Sequence, residues 1–114
     1  MRRLCFLGLA AVVAIVAVAA TALAATKTIA VGDNYFVRRS GVPGVTVKRG
    51  TTVSWHFIGK RRHNVAVASG PVRFRSGARR SGSYRKRIFT PGRYVIICTI
   101  HGARDQKMVL RVRR

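Results

Sequence analysis

After residue 25 the chain is a series of short runs in which apolar and polar residues alternate, each ended by a turn signal. Alternation puts apolar side chains on one face of an extended backbone, whereas a helix needs them three or four apart. Val53, Trp55 and Phe57 share a face of Thr51 to Phe57, and Tyr84, Lys86 and Ile88 share a side of Tyr84 to Phe89. Further strands are predicted over Thr28 to Val31, Val45 to Lys48, His63 to Val67 and Lys107 to Val112, with Tyr35 to Val37 as an edge continuation. Arg93 to Cys98 is apolar on both faces, the pattern of a central strand covered on both sides. Gly32-Asp33-Asn34, Arg49-Gly50, Ser69-Gly70-Pro71 and Thr90-Pro91-Gly92 mark the turns. No helical period of useful length interrupts this pattern. The expectation is an all-β sandwich of seven or eight strands with Trp55, Phe89 and Tyr94 in its core.

Residues 1–25 are of another kind. A basic start, Met1-Arg2-Arg3, precedes an almost unbroken Ala, Val, Leu and Ile stretch, and Ala22 and Ala24 stand at the small-residue spacing of a signal-peptidase site. This reads as an export signal, cut after Ala24 or Ala25, ahead of one domain over 26–114. The alternative is an uncleaved N-terminal anchor helix, since the stretch approaches the roughly 20 residues that a spanning helix needs. In both cases the domain works outside the cytoplasm, in a periplasm, on a cell surface or secreted. Cys5 falls in the signal, so Cys98 is the single cysteine of the domain and has no internal disulfide partner. A lone thiol in an oxidising compartment is a liability unless something occupies it.

The formal charge is +21, and removing Arg2 and Arg3 leaves +19 on the domain, whose two acids are Asp33 and Asp105. Such a chain is drawn to acidic protein surfaces or to an anionic cell envelope. Export argues against nucleic acid, and membrane contact is expected only through residues 4–25 if they are retained.

One set of residues carries chemistry. Cys98 ends an apolar run, His101 follows in the next loop, His63 stands at the head of another run, and Met108 lies downstream. Two imidazoles, a thiolate and a thioether are the donor set of a type 1 (blue) copper site. If the His63 and Cys98 strands are antiparallel neighbours, both donors fall at one rim of the sandwich. Asn64, beside His63, is placed to pin the Cys98 loop with its amide. His56, in mid-strand opposite Trp55, is read as structural.

The chain resembles a small cupredoxin of the plastocyanin, pseudoazurin and amicyanin type. The likeness rests on Arg49-Gly50-Thr51-Thr52-Val53-Ser54-Trp55, His63-Asn64-Val65, Phe89-Thr90-Pro91-Gly92-Arg93-Tyr94, Cys98-Thr99-Ile100-His101 and Met108. It implies a Greek-key sandwich that holds one Cu(I)/Cu(II) ion on His63, Cys98, His101 and Met108 and passes single electrons between redox partner proteins, with His101 as the exit. The chain departs from that pattern in three places. Six residues, Gly102 to Lys107, separate His101 from Met108, more than in close relatives; Gly102 stands where a proline is frequent; and Phe57 replaces an asparagine. A copper carrier or sensor on the same fold is the second reading, and a basic module that binds anionic polymers is the third. An enzyme is not expected, because Cys98 and His63 have no third residue to orient them as nucleophile and base.

Overall fold

The structure is a computed structural model that describes residues 11, 12, 14 and 25–114. The hydrophobic helix expected within residues 1–25 lies almost wholly outside them. Among the described residues no helix is long and apolar enough to cross a membrane.

Among the described residues, eight strands form two four-stranded mixed sheets. They are β1 (Thr26–Gly32), β2 (Tyr35–Phe36), β3 (Gly44–Lys48), β4 (Thr52–Phe57), β5 (Ala66–Ser69), β6 (Ser83–Arg87), β7 (Gly92–Ile97) and β8 (Lys107–Arg113). A single helical turn, α1 (Gly102–Asp105), precedes β8. One sheet runs β2-β1-β4-β6 and the other β3-β8-β7-β5. The pairs β1–β4 and β3–β8 are parallel and the remaining pairs antiparallel.

Alternation places the core. Val53, Trp55 and Phe57 of β4 are buried while His56 between them is exposed and bonds the Ser83 hydroxyl. Leu110 and Val112 of β8, with Tyr94 and Ile96 of β7, cover them from the facing sheet. Trp55 sits at the centre, its ring centroid 5.8 Å from Phe74 and 5.9 Å from Tyr84. Tyr94 is buried too and donates its hydroxyl hydrogen to the Thr90 carbonyl at 2.7 Å. That bond ties the turn before β7 to the core.

Three sequence expectations need correction. Phe89 is 61% exposed, with the Arg87 guanidinium carbon 4.8 Å from its ring centroid. Ile88, on the inward side of the alternation, takes the core position instead. β7 is central, but a two-layer sandwich buries one face of each sheet, so Val95 and Ile97 are half-buried. The segment His63 to Val67 does not begin as a strand of the β5–β7 ladder. His63 lies before β5 in an isolated bridge with Arg79, and Val65 and Val67 hydrogen-bond to Ser76 and Phe74. The segment 74–79 covers it from outside, and so His63, Asn64, Val65 and Ala66 are all buried.

The Trp55 indole N–H has no hydrogen-bond partner among the described residues. Trp55→Ala is expected to cost about 3–5 kcal/mol through lost burial and the cavity left behind. Trp55→Phe is expected to cost clearly less, because it removes the unpaired donor together with the lost volume. Urea unfolding of the two variants checks this, and equal costs would contradict it.

Candidate metal centre

Hydrogen bonding sets where the donors stand. β7 and β8 are antiparallel, with Ile96 opposite Met108 and Ile97 opposite Lys107. One step further, the Cys98 N–H donates to the Gln106 carbonyl at 3.2 Å. The intervening loop closes on itself: Gly102 N–H donates to Cys98 C=O at 2.8 Å, and Gln106 N–H to Gly102 C=O at 3.1 Å. Gly102 has φ +79, a left-handed conformation that glycine adopts without steric cost, and it turns the chain just after His101. His101 is therefore held at the head of α1, directly above Cys98.

His63, Cys98 and His101 converge at this rim. Cys98 Sγ lies 3.5 Å from His101 Nδ1 and 4.0 Å from His63 Nδ1, and the three donor atoms all fall within 4.8 Å of one another. Nitrogen and sulfur donors bound at 2.0–2.3 Å to one ion in a common plane stand about 3.5–3.7 Å apart. The three residues form a cluster that can hold a metal ion, with small inward movements. His63 and Cys98 are fully buried and His101 is half-buried. Its Nδ1 faces the sulfur while the residue stays partly open to solvent.

The surroundings fix His63 from both sides. Its Nε2–H donates to Asp33 Oδ1 at 2.9 Å, since an ionised carboxylate can only accept. Asp33 belongs to the turn between β1 and β2 and also accepts the backbone N–H groups of Lys60 and Arg61, each at 3.0 Å. The His63 bond first, then those two amides, hold its carboxyl far below the ordinary aspartate range. Gly59 has to be glycine here, because a Cβ would collide with the Asp33 carboxylate. Asn64 and the Cys98 loop are joined twice: its amide N–H donates to Thr99 Oγ1 at 2.7 Å, and its carbonyl accepts Thr99 N–H at 2.8 Å. Arg75 reaches the same hydroxyl at 3.2 Å.

Met108, expected as the fourth donor, is the second residue of β8, fully buried in the apolar core and opposite Ile96. Two residues at the centre escaped the sequence reading. Asp33 was legible only as one of the two acids in a strongly basic chain. Gln106 was signalled by its place in the inward stripe Gln106, Met108, Leu110, Val112, all buried. It is a polar residue at the rim end of a core-facing alternation.

Solved structures share this architecture. An amicyanin variant in the Cu(I) form aligns with a TM-score of 0.64 at 21% identity, over 77% of this chain and 82% of that one. Dithionite-reduced auracyanin from Roseiflexus castenholzii aligns with a TM-score of 0.60 at 20% identity, over 80% of this chain and 98% of that one.

The chain has a cupredoxin fold.

A copper-containing nitrite reductase from Thermus scotoductus matches as well, with a TM-score of 0.63 at 25% identity over 78% of this chain. The present chain spans only 22% of that enzyme's length. No protein-family model and no curated protein sequence matches the chain. On this cupredoxin scaffold the His63–Cys98–His101 cluster is like a type 1 copper site.

A carboxylate that orients a ligating imidazole contributes to metal affinity through that orientation. Asp33→Ala is expected to weaken binding of a Co(II) probe about 10–100-fold. Gly59→Val is expected to act in the same direction by displacing the carboxylate. Competition titration against a coloured chelator measures both, and unchanged affinity in Asp33→Ala would remove Asp33 from the centre.

Proposed function

We propose that this protein is an exported blue copper protein that carries single electrons between redox partners. The observation that carries the reading is the convergence of His63, Cys98 and His101 on one buried point at the sandwich rim, with only His101 reaching toward the surface. A copper ion held there would supply one-electron chemistry between Cu(II) and Cu(I). Cys98 contributes the thiolate, and the two imidazoles contribute nitrogen donors acceptable to both oxidation states.

The chain's part is to keep those donors still. Asp33 holds the His63 ring, Asn64 and Thr99 clamp the Cys98 loop, and the closed turn through Gly102 fixes His101. A centre that barely rearranges has little reorganisation to overcome when an electron arrives. The half-buried His101 ring and the exposed Ile100 beside it offer the electron a route to a docked partner.

Residues 1–25 serve as the export signal, or as an anchor if retained, and residues 26–114 form the working domain. The partner has an acidic docking surface. Among the described residues the single close ion pair is His63–Asp33, so the lysines and arginines carry no carboxylate partners of their own. Arg38, Arg39, Arg104 and Lys107 line a cavity of about 150 Å³ beside the ligand loop, with Asp105 as its only acid. An enzymatic role is not proposed, since the reading needs no bound substrate.

Cu(II) added to the purified protein is expected to produce an intense blue absorption from sulfur-to-copper charge transfer and a reversible one-electron wave on an electrode. Cys98→Ser is expected to abolish the colour. A pale copper form of the wild type would overturn the type 1 reading, and tight Cu(I) binding without reversible cycling would favour copper handling on the same fold. Electron transfer to an acidic partner is expected to slow steeply with salt, as the Debye length shrinks from about 30 Å at 0.01 M to about 8 Å at 0.15 M. A flat salt profile would remove the role given to the basic surface.

A further inference from the structure

Gln106 is polar, fully buried, and placed in the strand stripe that otherwise packs the core. Its amide nitrogen is committed: Nε2 donates to the backbone carbonyls of Gly32 at 3.1 Å and Tyr35 at 3.0 Å. Those two acceptors fix which way the amide faces, because the oxygen cannot take their place. The side-chain oxygen therefore points the other way, to 2.9 Å from His63 Nδ1. That nitrogen is the same atom that faces Cys98 Sγ. Two lone-pair donors, one nitrogen and one oxygen, are aimed into the space beside the thiol.

The ladder between β7 and β8 separates Gln106 from Met108. Cys98 is directly opposite Gln106, joined by the Cys98 N–H to Gln106 C=O bond, while Met108 is opposite Ile96, one inward pair deeper. Directly opposed residues on one face have Cβ atoms about 4.5–5.5 Å apart, whereas the diagonal neighbour stands about 7–8 Å away. The residue level with the sulfur is the glutamine.

We propose that the side-chain carbonyl oxygen of Gln106 is the fourth, axial donor of this centre, in place of the Met108 thioether. The proposal rests on the type 1 copper reading given above. An amide oxygen is a harder donor than a thioether and favours Cu(II) over Cu(I), which lowers the reduction potential. Met108 then has a packing role only. The two hydrogen bonds donated by the Gln106 amide nitrogen tie the axial donor to the β1–β2 turn, so the same turn that supplies Asp33 also steadies the oxygen, which stands beside His63 Nδ1.

The test compares Gln106→Met and Met108→Leu in the copper-loaded protein, by voltammetry and by the Cu(II) electron paramagnetic resonance spectrum. The wild type must first turn blue; if it does not, the copper reading itself has failed, which is a different result. Gln106→Met is expected to shift the Cu(II)/Cu(I) affinity ratio at least tenfold toward Cu(I), which is about 59 mV upward for one electron, and to change the copper hyperfine splitting. Met108→Leu, a volume-conserving change, is expected to leave colour, splitting and potential as they are. Should Met108→Leu move the splitting and the potential, the assignment is overturned. Gln106→Met strands two buried carbonyls, so a measurement on the wild type stands beside it. In the Co(II)-substituted protein, proton magnetic resonance is expected to show strongly shifted side-chain signals from Gln106. Strongly shifted Met108 signals in their place would overturn the proposal.

Discussion

The antiparallel register of β7 and β8, carried to its last hydrogen bond between Cys98 and Gln106, is the constraint on which the centre depends. It brings the thiol to the end of one strand and the amide side chain to the start of the next, on the same inward face. The loop between them has no freedom to wander, since Cys98, Gly102 and Gln106 each satisfy one another's backbone groups. His101 is carried inside that closed turn. A one-residue slip in the ladder would turn every side chain of β8 to the opposite face, breaking the core and the rim together.

His63 arrives from outside this hairpin, and its position is secured by side chains from elsewhere in the sequence. The Asp33 carboxylate is anchored by backbone amides of the loop leading to His63, and a glycine at 59 leaves room for it. Asn64, the residue after His63, bonds the residue after Cys98 from both ends of its amide. His63 and Asn64 are buried, so their polar atoms depend on these partners, which reach them from the part-exposed Asp33 and the exposed Thr99. The centre is therefore held by directional bonds at an end of the molecule whose interior is otherwise apolar.

The surface follows a different logic. With so few acids, the cations repel one another, and that repulsion is relieved only by solvent, salt and contacts such as Arg79 over Phe57 and Arg87 over Phe89. An acidic partner would relieve it further. Of the domain's two carboxylates, Asp33 bonds the buried histidine and Asp105 lies in the cavity lined by Arg38, Arg39, Arg104 and Lys107.

Much of this was legible in the chain. Period-two alternation marked β4 and β6, because a half-buried strand must alternate, and short runs between turn signals marked β1, β3 and β8. The pairing of a lone cysteine with His63 and His101 marked the centre, because few donor sets combine those groups. Phe89 was misplaced because its alternation and its aromatic ring pointed to opposite faces, and the cation–π contact with Arg87 left it outside. The short α1 had no periodicity to announce it, being a single turn closed by backbone bonds. His63 lay before its strand because residues 74–79, remote in sequence, supply its bridge and its cover.

The sequence by itself determined the class of fold and the chemical types gathered at the centre, since side-chain period and donor identity are local properties of the chain. Only the tertiary structure decided that Asp33 grips His63, and that Gln106 rather than Met108 stands level with the sulfur. Those relations depend on strand register and on turns meeting across the sandwich. They are set by hydrogen bonds between residues far apart in the sequence, which no local pattern contains.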